Sequence, residues 1–394
     1  MKKKILFVID SLHSGGAEKS LISLLTLFDY QNYEVDLLMF SPEGLYLRLL
    51  PTEVNIVNVP KDIQMKRNRI IEIIKSGDLK TLFSRIGLAI HNRNPYAIKK
   101  MHGAQINWKW MTNRISKLEQ NYDVAIAYSQ GMPTYFVAEK VNAGKKISWF
   151  NTDYKSAKYN RKFDFDYFEK IDNIVTVSEA CKDVLIENFE QMKEKFEVIY
   201  DIVSPKLIKE MSNKDKGFID TNDGIRILTI GRLVDAKGYD LALEACNLLK
   251  SEGVNFRWYV LGEGPLKSEI QDIIKEKRLE DRFILLGVNS NPYPYIKNTD
   301  IYVQPSRFEG KPIAVNEAKV LCKPIVVTNF STVNSQITNE KNGLIVEMNS
   351  QDIYKGIKKL INNNNLRQQI SSNLMLENVG TEEEINKIYD LIKS

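Results

Sequence analysis

Ser306-Arg-Phe-Glu-Gly-Lys-Pro-Ile-Ala-Val-Asn-Glu317 follows the apolar run Asp300-Ile-Tyr-Val-Gln-Pro305 and leads into Ala318-Lys-Val-Leu-Cys322. The apolar run reads as a buried strand, and Pro312 falls where a helix begins, because a missing N–H costs nothing in a first helical turn. The segment is therefore strand, loop, helix. Such a segment aims the unpaired N–H groups of the first turn beyond the strand's carboxyl end, which predicts an anion there. Glu309 and Glu317, eight residues apart, frame the loop. A phosphate has no electrostatic use for carboxylates, but a sugar hydroxyl does, since a carboxylate accepts hydrogen bonds in a fixed plane. A nucleotide sugar offers both groups. Two solvated glutamates on a capped surface helix would read alike.

Working outward, 394 residues allow two or three domains, each large enough to bury its own core. The longest unbroken apolar runs, such as Ile5-Leu-Phe-Val-Ile9, are about five residues, far short of the roughly 18 that span a bilayer. Three N-terminal lysines before that run imitate a secretory signal, but Asp10 ends it too early, so export is not expected. Cys181, Cys246 and Cys322 are odd in number and far apart, which suits reduced thiols in a cytosol. With three histidines besides, no metal cluster is expected.

The first half alternates strand and helix in the manner of a parallel α/β sheet. Strands are predicted at Lys4–Ile9, Tyr33–Phe40, Val54–Val59, Asp123–Tyr128, Lys146–Phe150, Ile174–Val177 and Phe196–Tyr200, with a helix over Lys19–Phe28. Gly15-Gly16 follows the first strand, where glycines let backbone approach a ligand, although a plain tight turn needs them too. Residues 1–203 thus form one domain, and the polar stretch 204–224 reads as a linker. A second alternation fills 225–375, with strands at Ile225–Ile230, Phe256 onward, Phe283–Gly287, Asp300–Pro305, Pro324–Thr328 and Asn342–Glu347. Residues 376–394 read as a C-terminal helix that packs back on the first domain. Between the first two strands of this half, Arg232 and Lys237 lie five steps apart on one loop and can converge on one phosphate pair.

Glu309, seven intervening residues and Glu317, with Gly310 and Pro312 in place, resemble the donor-binding motif of family 4 retaining glycosyltransferases, the glycosyltransferase group 1 enzymes of bacterial surface polysaccharide synthesis. Gly231-Arg-Leu with Lys237-Gly238 resembles that family's diphosphate-binding segment, and the strand ending in Gly262-Glu-Gly-Pro265 matches as well. The resemblance implies the fold called GT-B, two Rossmann-like doubly wound domains facing across a cleft. It also implies retaining, metal-independent transfer of a sugar, expected from a UDP-sugar, to a glycan acceptor that is expected to be lipid-linked. In that match Glu309 holds the sugar beside Gly310 and Lys311, and Glu317 binds the ribose. Backbone at Leu286, Gly287 and Val288 reads the base, Arg232 and Lys237 stabilise the departing diphosphate, and Gly15 and Gly16 face the diphosphate and acceptor. A nucleotide-sugar epimerase of the same fold, or transfer to a small soluble acceptor, is the alternative.

Lys146-Ile-Ser-Trp-Phe-Asn-Thr-Asp153 carries polar groups at a strand's carboxyl tip. Many family members have a histidine where this chain has Asn151, which can hold a donor hydroxyl but cannot act as a base. Asp153 is then a candidate for orienting the acceptor. Asp164-Phe-Asp166 imitates the D-x-D pair of metal-dependent glycosyltransferases of another fold, but no strand positions it, and a surface helix is expected instead. No cofactor and no metal are predicted.

From Lys61 to Lys117 the strand pattern lapses, and 13 Lys and Arg stand against 3 acidic residues, 13 − 3 = +10, against +5 for the whole chain. Interleaved apolar residues, including Trp108 and Trp110, suit an anionic membrane surface, where each cation contributes about 1 kcal/mol. A solvated helical face is the other reading. Nucleic acid is not expected, since no binding module accompanies the charge. A cytoplasmic enzyme, peripheral at the inner membrane face, is the expectation.

Overall fold

In the computed structural model, which describes residues 2–13, 15–59, 101–152, 154, 155 and 159–394, the chain forms two compact units. The first comprises Met1–His13, Ala17–Tyr200 and Glu383–Ser394, and the second Ser14–Gly16 and Asp201–Glu382.

The first unit is a seven-stranded parallel sheet of β1 (Lys3–Ile9), β2 (Tyr33–Met39), β3 (Asn55–Val57), β4 (Asn121–Ala127), β5 (Asn142–Phe150), β6 (Asn173–Thr176) and β7 (Phe196–Val198). Its order, β3-β2-β1-β4-β5-β6-β7, reverses between β1 and β4. Ile5, Leu6, Phe7 and Val8 are all fully buried, which is why β1 is apolar without alternation: both faces are covered. The C-terminal helix Glu384–Lys393 belongs to this unit. Its Tyr389 ring stacks on Tyr33 at 5.4 Å, and the Tyr389 hydroxyl accepts from Asp29 N at 2.8 Å.

The second unit is a six-stranded parallel sheet of β8 (Ile225–Ile230), β9 (Phe256–Leu261), β10 (Phe283–Gly287), β11 (Ile301–Gln304), β12 (Ile325–Thr328) and β13 (Leu344–Val346). Its order is β10-β9-β8-β11-β12-β13, so the direction of winding changes between β8 and β11. Separate apolar clusters cover the two faces, one containing Leu243, Trp258 and Ile357, the other Tyr259, Val315 and Ile337. The strands expected from periodicity are all present, most with ends shifted by one to four residues.

Several expectations need correction. The stretch 204–224, read as a strandless linker, carries a helix, Pro205–Ser212, capped by Ser204, with Ile208 packed into the second unit's core. Pro312 stands one position before the helix Ile313–Val320, as its cap residue. Trp108, expected at a membrane surface, is fully buried against Tyr135 and Phe136, because the helix Gly103–Met111 turns that face into the first unit's core. Trp110 is 37% exposed. Residues 60–100, most of the basic stretch, lie outside the described residues.

Asp164 is the fourth correction. It does lie on a helix, Arg161–Phe168, but its carboxylate is buried rather than at a surface. It accepts from Gln105 Nε2 at 2.7 Å, Tyr135 Oη at 2.6 Å and Tyr154 Oη at 2.9 Å. Burial pushes its pKa up to about 6, with the three hydrogen bonds pulling the other way.

Candidate active site

Ligands in open α/β sheets bind beyond the carboxyl ends of the strands, where the strand order reverses. In the second unit that place lies between β8 and β11, and the two loops singled out in the sequence leave these two strands. The first loop runs Gly231–Gly238 and ends in a turn of 3-10 helix, Asp235–Lys237, closed by Gly238 at φ +63°. A side chain at Gly238 would put its Cβ 2.0 Å from the Pro305 carbonyl oxygen, so only glycine lets the two loops meet. Arg307 then ties them. Its backbone N–H donates to Ala236 O at 2.8 Å, and its guanidinium donates to both carboxylate oxygens of Asp240, at 2.9 and 2.6 Å.

This seam brings Lys237 onto Glu309. Lys237 Nζ donates to Glu309 Oε1 at 2.5 Å, with both side chains mostly covered. The same oxygen accepts from Ser306 Oγ at 2.6 Å and Gln304 Nε2 at 3.0 Å. Thr332 Oγ1 donates to the Glu309 carbonyl at 3.1 Å, which fixes the backbone of the turn. Arg232, on the Lys237 loop, is exposed and makes no ion pair with any described residue. Gly310 and Lys311 lead into the helix Ile313–Val320, whose first-turn N–H groups receive no side-chain cap. The seam thus gathers an ammonium, uncapped helix N–H groups and one carboxylate, with an exposed guanidinium on the same loop, a set that suits a diphosphate joined to a hydroxylated group.

Glu317 sits in that helix at 2% exposure and accepts from Tyr293 Oη at 3.3 Å through Oε1. Its burial is deeper than a freely solvated helix face would give. The Leu286–Val288 turn carries Gly287 at φ +72° and a register shift against β9. Gly262 N donates to Gly287 O at 2.8 Å, which joins this turn to the Gly262-Glu-Gly-Pro265 loop.

Gly15 lies in the bend after β1, and Gly16 begins the helix Gly16–Thr26. Asn151 follows β5, where its Nδ2 donates to Tyr128 O at 3.1 Å and its backbone N to Gln130 Oε1 at 3.1 Å. Its Oδ1 is buried with no hydrogen-bond partner among the described residues, as are Ser129 Oγ and Thr152 Oγ1 nearby in sequence. Asp153 lies outside the described residues. Sequence reasoning missed Gln304, Ser306 and Arg307. A signal for the first two was present: Tyr302 and Gln304 are polar-tipped residues at alternate positions of a run read simply as apolar, and Ser306 continues the alternation past its end. Among the described residues no helix is long and apolar enough to cross a membrane.

Residues 212–374 match the family model described as glycosyl transferases group 1. An N-acetylgalactosamine-N,N'-diacetylbacillosaminyl-diphospho-undecaprenol 4-alpha-N-acetylgalactosaminyltransferase of Campylobacter jejuni is 24% identical over 368 residues, covering 93% of this chain and 92% of that protein. A poly(ribitol-phosphate) alpha-N-acetylglucosaminyltransferase of Staphylococcus aureus is 25% identical over 60% of this chain and 47% of its own length. Among solved structures, Anabaena HepE in complex with UDP and glucose superimposes with a TM-score of 0.72 at 16% identity, covering all of both chains. S. aureus TarM, solved with UDP, gives 0.68 at 16% identity, also over both full chains. At these identities the structural likenesses establish the fold.

Proposed function

We propose that this chain, whose residues 212–374 match the group 1 glycosyltransferase model and which has the GT-B fold, is a glycosyltransferase that moves a sugar from a UDP-sugar to a lipid-linked glycan acceptor with retention at the anomeric carbon. The observation that carries the reading is the Lys237–Glu309 contact, on a loop that also carries exposed Arg232, at the reversal of strand order in the second unit. The UDP-sugar is supported by solved structures of like fold that hold UDP, and the lipid-linked acceptor by the diphospho-undecaprenol in the name of the C. jejuni relative. Retention rests on the resemblance of the Glu309 to Glu317 spacing to the family motif.

In this reading the bond between the anomeric carbon and the β-phosphate oxygen breaks. The acceptor oxygen bonds to the same face, and its proton passes to the departing phosphate. Negative charge grows on the diphosphate, and Arg232, Lys237 and the N–H groups at the start of Ile313–Val320 stabilise it, so no metal ion is required. Glu309 holds the sugar hydroxyls and Glu317 the ribose. Asn151 contributes a hydrogen-bonding group but no proton transfer. The test is incubation with labelled nucleotide sugars and a lipid-linked acceptor extract, scoring nucleotide release. Release is expected from a UDP-sugar, dependent on acceptor and unchanged by EDTA. Loss of release in EDTA restored by manganese would overturn the metal-free reading, and conversion of the nucleotide sugar without acceptor would overturn the transfer.

A further inference from the structure

Glu309 stands on a buried polar chain that begins on β11. Tyr302 Oη donates to Gln304 Oε1 at 2.5 Å. Gln304 Nε2 donates both to Ser306 Oγ at 2.9 Å and to Glu309 Oε1 at 3.0 Å, and Ser306 Oγ donates to the same carboxylate oxygen at 2.6 Å. Tyr302, Gln304 and Ser306 are each at most 1% exposed. Since side chains at alternate strand positions share a face, Tyr302 and Gln304 lie side by side, and Ser306 extends the row past the strand's end.

The direction of the chain is chemically determined. An ionised carboxylate only accepts, so the Gln304 group facing Glu309 is its NH2 and the group facing Tyr302 is its carbonyl. Tyr302 must therefore donate, and burial, with the Glu317 and Glu309 carboxylates nearby, holds its phenol well above its ordinary pKa and keeps that proton in place. With Lys237 Nζ, three donors converge on Oε1, while no described residue donates to Oε2.

We infer that Tyr302 and Gln304 are positioning residues that fix the orientation of the Glu309 carboxylate, engaging Oε1 from beneath so that Oε2 is presented to the sugar of the donor. The inference rests on the proposed role of Glu309. Neither residue touches substrate; Tyr302 acts through Gln304, and Gln304 through Glu309. Ser306 is the second arm of the same support. The chain is an all-or-none device, since a buried donor or acceptor left unpaired costs more than the bond contributed.

The experiment measures turnover and donor KM for the parent, Tyr302→Phe, Gln304→Leu, Glu309→Ala and the two double variants, with UDP affinity and thermal midpoint measured in parallel. Tyr302→Phe and Gln304→Leu each lower kcat about tenfold while donor KM and UDP affinity stay within about twofold of the parent. In the Glu309→Ala background neither causes a further loss, because the group they position is gone. A merely structural role would lower the thermal midpoint and leave kcat in the folded fraction unchanged. Parent-like kcat in both single variants, or equal losses with and without Glu309, overturns the inference while leaving Glu309 in its role. Unimpaired turnover in Glu309→Ala overturns the proposed role itself, so the two failures are distinguishable.

Discussion

Among the described residues, Asp164 carries a clear pH signature. Burial raises its pKa from 3.8 to about 6 in the folded chain. The folded state then holds the proton more tightly than the unfolded one, so Asp164 contributes stability that is present below about pH 4 and lost as pH rises through about 6. Relative to Asp164→Asn, the parent's thermal midpoint is expected to rise as pH falls from about 7 to about 5. A difference between the two that is flat across that window contradicts the assignment. The burial of this residue was not legible in the sequence, because its partners Gln105 and Tyr135 are 59 and 29 residues away. Glu309 and Lys237 were legible because each sits in a loop whose glycines and spacing are local signals. Gln304 lies within a run that reads as apolar, and only its alternation with Tyr302 and Ser306 marks it.

The loops are the elements that make the site, and their meeting depends on Gly238. Gly238→Ala meets both the left-handed conformation, worth about 1 kcal/mol, and the Pro305 carbonyl. Gly253 supplies the control, since it has φ +71° with nothing within 4 Å of an added Cβ. Gly253→Ala is expected to lower the thermal midpoint slightly and leave turnover at the parental level, whereas Gly238→Ala loses about tenfold or more in turnover because Lys237 is displaced. Equal behaviour of the two variants contradicts the account of the seam. The strands themselves were legible because a buried parallel strand is an apolar run bounded by polar residues. The helix Pro205–Ser212 was not, since it has eight residues and only one strongly buried aliphatic, Ile208, so its polar composition reads as linker.

At the scale of the whole molecule, the chain is two α/β units, with the C-terminal helix returned to the first. Two units could be read from the two strand alternations, whereas the partners of the terminal helix depend on contacts such as Tyr389 on Tyr33, which no local pattern encodes. The proposed lipid-linked acceptor would ask for docking at a membrane, for which the +10 balance of 61–117 is the candidate charge. Co-sedimentation with anionic but not neutral vesicles is expected, weakened by salt, since exposed charges are screened beyond about 8 Å at physiological ionic strength. Reversing Lys99, Lys100 and Lys109 to Glu should weaken it further. Equal sedimentation with both vesicle types, or none with either, contradicts membrane docking and favours a soluble acceptor.

The central claim is that the loops leaving β8 and β11 bind the diphosphate of a nucleotide sugar. Calorimetric titration of UDP into the full chain and into Arg232→Ala and Lys237→Ala tests it most directly. UDP is expected to bind the parent and to bind each variant at least about tenfold more weakly, a difference of about 1.4 kcal/mol, with the thermal midpoint unchanged in Arg232→Ala, whose side chain is exposed. Parental UDP affinity in both variants would contradict the claim.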